Sequence, residues 1–467
     1  MFRLSEMRQE FRPMLRMAIP MALTELGWVA MGLVDTIMVG HLPDSAVAIG
    51  AVSLGTALFY TIGIFGSSVM LGLDTLVSQA YGARKLEECH RNFFNALYLA
   101  MVLAPSLMVL IFLALPWLPR TGIDPAVVRE TVPFMRALNW STLPLVFYFV
   151  LRRYLQSMSI VRPVVFALVS ANLVNVLGNW TLVYGHLGFR PMGVTGSGWA
   201  TCVSRMYVLA VLAAAVVYCD RKRSSGMWHA SRRLELARIR ELLRLGLPAA
   251  LQLLVEMMAF TSTAMLIGRL GALELAGHQI ALNVASFTYM VPLGIGSAAA
   301  VRVGHAYGAR DSAGATRAGW MALFFGQTFM FCSALVLFLL PQYIARLYSS
   351  QPEVIAMGVR LLRVAAVFQL FDGLQAVVTG ALRGAGNTRT PMLAHLLGYW
   401  LIGMPLGTWL CFKLGWGAAG YWSGLCVALV LIGTGLLAVW YRLVRSLQFT
   451  QGHPEFRQER ALSSARE

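Results

Sequence analysis

The sequence predicts an all-α polytopic membrane protein, with twelve transmembrane helices in two six-helix lobes related by a pseudo-twofold axis. Three observations predict it. The 467 residues are 58% hydrophobic and only 13% charged, with a mean hydropathy of +0.65, whereas a soluble domain carries about a quarter charged residues. Twelve apolar runs approach or exceed the roughly 20 residues that a helix needs to cross the hydrocarbon core. Short motifs also recur about half a chain apart.

The first six runs lie at 17–39, 48–76, 93–117, 131–151, 163–185 and 196–219. The second six lie at 243–268, 274–301, 318–345, 357–382, 391–413 and 417–441. Between them sits a basic stretch, "CDRKRSSGMWHASRRLELARIRELLR" at 219–244, part of which could lie on the membrane as an amphipathic helix. The expected organisation is an N-lobe at 1–220, a basic linker at 221–242, a C-lobe at 243–445 and a tail at 446–467. The charged N-terminus enters a first span too long to be a signal-peptide core, so no removable leader is expected. Six scattered cysteines form no CxxC and pair with no His, so they read as small packing residues rather than disulfides or metal ligands.

Lys and Arg set the orientation. With both termini in the cytoplasm, cytoplasmic segments hold 28 of the 38 basic residues, outer loops hold 6, and Arg136, Arg205, Arg360 and Arg363 fall within spans. In this count the connection at 152–162 is one of the cytoplasmic segments. A net charge of +17 would suggest nucleic acid in a soluble protein. Here it reads as a topology signal and a contact for anionic headgroups, and no nucleic-acid partner is expected.

The repeat joins the halves. Ala80-Tyr81-Gly82-Ala83-Arg84 returns as Ala306-Tyr307-Gly308-Ala309-Arg310, a shift of 226. At a shift of 228, Pro20 falls on Pro248, Gly40 on Gly268 and Pro163 on Pro391; Gly193-x-x-Gly196 falls on Gly417-x-x-Gly420 at 224. Six helices per half keep the repeats parallel, as in transporters whose substrate site lies between the halves. Gly82 and Gly308 are expected to permit a tight turn that Arg84 and Arg310 hold at the cytoplasmic side.

Ionisable side chains inside spans are functional candidates by default. Asp35 shares a stripe of the first span with Thr24, Trp28 and Met31, and the fifth span offers Asn172, Asn175 and Asn179 at i, i+3 and i+7. A carboxylate beside amide oxygens could hold Na⁺ or a proton; the alternative is a packing contact alone. In the second half, Glu256 has Phe260 one turn on, and Asp372 shares a face with Phe368, Gln375 and Thr379. The eighth span adds Gln279, Asn283, Phe287 and Tyr289. Two carboxylates among aromatic rings suit an organic cation. Glu25 is a weaker candidate, and Asp74 reads as a gate or capping group that can reach water. Asp35 falls on Thr263, and Glu256 on Trp28, at the 228 shift: the scaffold is duplicated and the carboxylates are not.

The motifs "VDTIMVGHL" (34–42), "GLDTLVSQAYGAR" (72–84), "VEMMAF" (255–260), "AGHQIALNVASFTYMVPLGIGSAAAVRVGHAYGAR" (276–310) and "FQLFDGLQAVVTGALRGAGNTRTP" (368–391) carry a resemblance across nearly the whole chain. It resembles a multidrug and toxic compound extrusion (MATE) transporter, nearest the bacterial NorM-like group. That resemblance implies two six-helix lobes forming a V, and efflux of cationic drugs driven by inward Na⁺ or H⁺. It implies an N-lobe cation site at Asp35, Asn175, Asn179 and Thr201. It also implies a C-lobe acidic pair at Glu256 and Asp372, with Phe260, Gln279 and Tyr289 as nearby contacts. Phe368 stands where some relatives have a tyrosine.

The expected protein is therefore a monomeric antiporter of the bacterial inner membrane, not an enzyme, with small organic cations and lipids as partners and H⁺ or Na⁺ as coupling ion. Asp35, Glu256 and Asp372 are the candidate Na⁺ ligands. A lipid-linked sugar flippase would call for a cationic cavity, a polyprenyl-handling membrane enzyme for a loop cluster of carboxylates or histidines, and a channel for a symmetric ring.

Overall fold

The computed structural model describes residues 4–452, and no strand occurs among them. The final residues of the expected tail, 453–467, lie outside the described ones. The helices of the first half are α1 (Leu4–Val39), α2 (Ser45–Val69), α3 (Gly72–Gly82), α4 (Leu86–Ala114), α5 (Pro125–Asn139), α6 (Thr142–Ser157), α7 (Arg162–Leu182) and α8 (Gly193–Arg223). Those of the second are α9 (Leu236–Gly268), α10 (Ala272–Gly308), α11 (Ser312–Leu339), α12 (Pro341–Arg346), α13 (Pro352–Gly384), α14 (Arg389–His395), α15 (Met404–Thr408) and α16 (Ala418–Gly452).

Among the described residues ten helical spans are long and apolar enough to cross a membrane, or eleven if the α5–α6 pair counts as one. That pair is the expected fourth span, bent by 46°. The break has a local cause: Pro144 has no N–H to bond the carbonyl of Trp140. Side chains brace the break, with Asn139 Nδ2 donating to Met108 O of α4 at 2.9 Å and Thr142 Oγ1 to Asn139 Oδ1 at 3.0 Å. The expected eleventh span, 391–413, is a run of short α segments separated by π turns at Leu396–Gly403 and Trp409–Lys413. Pro405 interrupts its hydrogen-bond ladder in the same way.

The chain divides into two compact units, Leu23–Val77 with Lys85–Leu254, and Met1–Ala22 with Ser78–Arg84 and Val255–Glu467. α1, α3 and α9 each contribute residues to both of these packing units. Within the second unit α10 is the central helix, with 56% of its apolar window buried against 28% for α11. Small residues from Gly294 to Gly304 let its neighbours approach.

The repeated motif lies entirely in this second unit, and its two copies pack on each other. A Cβ at Gly82 would overlap the His305 carbonyl, and one at Gly308 would overlap the Gln79 carbonyl. Gln79 and His305 are themselves equivalent at the 226 shift. The contact is thus reciprocal, as a twofold between the repeats requires. The left-handed residues are Arg84 (φ 59°) and Arg310 (φ 56°), so the expected role of the glycines is corrected. Gly82 and Gly308 end helices and allow close backbone approach, while the arginines make the turn.

The basic stretch at 219–244 is not a surface helix. It comprises the end of α8, a short 3₁₀ turn at Met227–His229 and the start of α9, and its loop is strapped to α4. Arg91 holds Glu235 with two bonds of 2.9 and 2.7 Å, and Glu235 N donates to Asn95 Oδ1 at 2.8 Å. Arg238 reaches Glu88 at 3.0 Å and Asn92 at 2.9 Å. The Arg91 hydrogen bonds hold the Glu235 carboxyl below its usual range.

Candidate functional site

Each unit encloses its own polar centre. In the first unit, α1 delivers Asp35 to the face that α7 and α8 cover. Its Oδ1 accepts from Asn175 Nδ2 at 3.0 Å and Asn179 Nδ2 at 2.8 Å, and its Oδ2 accepts from Thr201 Oγ1 at 2.6 Å. Asn175 and Asn179 lie one turn apart on α7, so one helix face supplies both amides. Asp35 is only 7% exposed, and three donors converge on its carboxyl group.

Asn172 does not join it. Its Nδ2 donates to Gly27 O at 3.0 Å and Leu168 O at 2.9 Å, which ties α7 to α1. The amide oxygens of Asn172, Asn175 and Asn179 are all buried without a hydrogen-bond partner. These are hard oxygen atoms available to a cation once the amides turn.

Three arginines are buried in the same unit: Arg205, which was expected inside a span, and Arg152 and Arg153, which were not. Arg205 Nη1 donates to Ser141 Oγ at 2.6 Å, and its guanidinium stands over Phe59 and Trp28 at 4.9 and 5.3 Å. Trp28 in turn stacks on Tyr148. Arg152 is paired with Glu25 and bonds Tyr148 and Gln156 at 3.3 Å each. Arg153 meets Asp74 at 3.2 Å. The connection expected at 152–162 therefore begins inside α6 with two buried cations. Glu25 is spoken for by a neighbour, and Asp74, 1% exposed in the first turn of α3, does not reach water.

In the second unit, α9 and α13 bring Glu256 and Asp372 to one amide. Gln375 Nε2 stands 3.4 Å from Glu256 Oε1 and 3.2 Å from Asp372 Oδ1. Glu256 Oε2 is buried with no hydrogen bond. Phe260 lies edge-on to Phe368 at 6.0 Å and to Tyr399 at 5.9 Å, and Phe368 continues to Trp422 at 5.1 Å. The Tyr289 phenol is within electrostatic reach of both carboxylates. Gln279 does not join them; it faces out from α10 and bonds Asn283 at 3.3 Å.

The residue that sequence reasoning missed is His395. It is fully buried, with Nδ1 2.7 Å from Pro391 O and Nε2 2.8 Å from Gln375 Oε1, and it lies 3.9 Å from Glu256. Both partners are carbonyl oxygens and can only accept, so the two bonds form together only when both ring nitrogens carry a proton. In that state His395 holds the Gln375 oxygen and leaves the amide's N–H groups to both acids. An ionisable residue within the apolar run "PMLAHLLGYW" was the available signal.

Comparison with known proteins matches this architecture. The chain is 37% identical over 447 residues to a probable multidrug resistance protein NorM of Mesorhizobium japonicum, covering 93% of this chain and 94% of that one. It is 36% identical over 433 residues to multidrug resistance protein NorM of Burkholderia vietnamiensis, covering 91% and 92%. The solved structure of the eukaryotic MATE transporter AtDTX14 superposes with a TM-score of 0.83 at 23% identity, over 95% of this chain and 99% of that one. An outward-facing multidrug resistance MATE family transporter gives 0.81 at 20% identity, over 93% and 96%. The MatE family model matches twice, at residues 20–181 and 248–409, and these segments are offset by the same 228 residues that relate Pro20 to Pro248. The chain belongs to the multidrug and toxic compound extrusion (MatE) family of membrane transporters.

Proposed function

We propose that this chain exports cationic or amphipathic drugs in exchange for inward H⁺ or Na⁺, by alternating access, across a bacterial inner membrane with both termini cytoplasmic. The named function of its relatives, multidrug resistance, supports the cargo class. The observation that carries the reading is the Glu256–Gln375–Asp372 cluster. Two buried carboxylates share one amide, and Glu256 Oε2 makes no hydrogen bond, with His395 Nε2 3.9 Å away.

Such a site is short of positive partners and attracts whatever cation reaches it. A proton, Na⁺ or a drug ammonium would each relieve the deficit, and Phe260 adds an aromatic ring for an organic cation. Occupancy by one disfavours the other, which is the competition that an exchanger needs. At 6–7% exposure neither acid is open to a drug-sized molecule, so the surrounding helices must part. The resulting closed and open states form the two-state element that both ligands bias.

Asp35 differs. Saturated with donors, it would take part by accepting a proton, or by holding Na⁺ after its asparagines turn their oxygens inward. A flippase remains the runner-up for a lobe containing Arg152, Arg153 and Arg205. Each of these is engaged by a protein group, which leaves the cationic cavity that a pyrophosphate needs without support.

The test is ethidium efflux from proteoliposomes under an imposed H⁺ or Na⁺ gradient, with Asp35→Asn, Glu256→Gln and Asp372→Asn beside the parent chain. Efflux under one gradient names the ion. Loss of that efflux in only the C-lobe variants makes Asp35 a packing group, and loss in Asp35→Asn alone places coupling in the N-lobe. Failure of both gradients to move any organic cation would refute drug antiport.

A further inference from the structure

We propose that the groove between α12 and the first turns of α13 binds the headgroup phosphate of an anionic glycerophospholipid. The groove has a volume of about 650 Å³. Its polar lining includes Gln342, Arg346, Ser350 and Arg363, and its apolar wall includes Ile355 and Val359. None of the lining residues is a carboxylate. Neither guanidinium makes a hydrogen bond or ion pair with the protein among the described residues. Two like charges thus face one space, an arrangement that an interposed anion would stabilise.

The setting selects a lipid rather than a soluble anion. α13 is one of the membrane-crossing helices, and Arg363 lies about 16 Å along its axis from Pro352. That is deep enough for its stem to pass apolar surface and its head to reach the interface. Beside the groove Leu347 is 84% exposed and Tyr343 66% exposed, an unfavourable surface in water and an ordinary one at a bilayer boundary. Arginine supplies paired donors for phosphate oxygens, and the Ile355–Val359 wall receives the start of an acyl chain. A zwitterionic lipid carries its own cation and gains less from the two arginines.

The experiment is native mass spectrometry of the full chain in neutral detergent, with equimolar phosphatidylglycerol and phosphatidylcholine of identical acyl chains. Wild type should retain phosphatidylglycerol in preference by about tenfold or more. The preference should vanish in Arg346→Ala/Arg363→Ala and survive in part in Arg346→Lys/Arg363→Lys. Both arginines are exposed, and a monodisperse elution profile checks that the variants fold. Equal retention of the two lipids by wild type, or a preference unchanged in the alanine pair, overturns the proposal. Displacement of the lipid by excess inorganic phosphate would also overturn it, by showing a small-anion site instead.

Discussion

Glu25 and Arg152 are expected to be a structural pair, and a double-mutant cycle tests this. Arg152 is 1% exposed, and its guanidinium is shared among Glu25, Tyr148 and Gln156. Arg152→Met leaves a carboxylate buried with no counter-charge, which costs about 3–5 kcal/mol in comparable sites. Glu25→Gln leaves the cation unneutralised at similar cost. The double substitution Glu25→Gln/Arg152→Met removes both charges and leaves only Tyr148 and Gln156 short of a donor, a loss of about 1–2 kcal/mol. For a cooperative unit of roughly 200 residues, 1 kcal/mol moves Tm by about 2–4 °C. Each single variant should therefore melt about 6–20 °C lower in detergent, and the double variant should recover most of that. Melting is followed by loss of the monodisperse elution peak, with ethidium efflux from the surviving protein as a second readout. If Glu25→Gln melts like wild type but does not transport, the pair is functional rather than structural. If the double variant melts as low as the two single losses summed, charge pairing is not what holds α1 to α6.

His395→Leu should keep the fold yet release the Gln375 amide, lowering efflux of a cationic drug about tenfold or more, while His395→Gln restores part of it; equal activity in all three would refute the positioning role. Gly82→Ala should destabilise by about 1–3 kcal/mol through overlap with the His305 carbonyl, whereas Arg84→Gly, at φ 59°, should raise Tm slightly; the reverse order in a melting assay would restore the turn reading. The Glu235 carboxyl is held below its unfolded value, so its contribution is present at neutral pH and is lost as pH falls through that lowered folded value. Hydrogen-exchange protection across 224–235, relative to the unfolded chain at the same pH, should therefore stay high at pH 7 and fall only in acid, and a fall already at pH 6 would contradict the Arg91 clamp.

Apolar run length and the 226–228 shifts made the architecture legible, because a helix in lipid must satisfy its backbone internally and a duplicated lobe keeps its prolines and glycines in register. Asp35 with Asn175 and Asn179 was legible for a related reason: one turn of helix puts i and i+4 on one face. Arg152 and Arg153 were not. A hydropathy run ends where charges begin, so both read as loop, while their acids Glu25 and Asp74 lie 127 and 79 positions away. No local spacing links such partners. Gln279 fails from the opposite side, since sharing a helix with Tyr289 does not aim it at the same centre. His395 has no charged neighbour within its own run, and only the fold brings Gln375 to it.

The departures from symmetry are as informative as the repeat. At the 228 shift Asp35 corresponds to Thr263, which is buried and bonds Met404 Sδ at 3.4 Å. Glu256 corresponds to Trp28, which stacks on Tyr148 with the Arg205 guanidinium above it. Where one repeat carries an acid, the other carries an apolar contact or an aromatic ring beneath a cation. The donor supply differs in the same sense: Asp35 has three donors for one carboxylate, and the Glu256–Asp372 pair has a single amide for two. At the first centre three donors oppose the cost of burying one carboxylate, while the second has one shared amide to set against the burial of two. Equal sites in two equal lobes would fill and empty together. In the proposed exchange, the unequal supply of donors would let the two centres fill and empty separately.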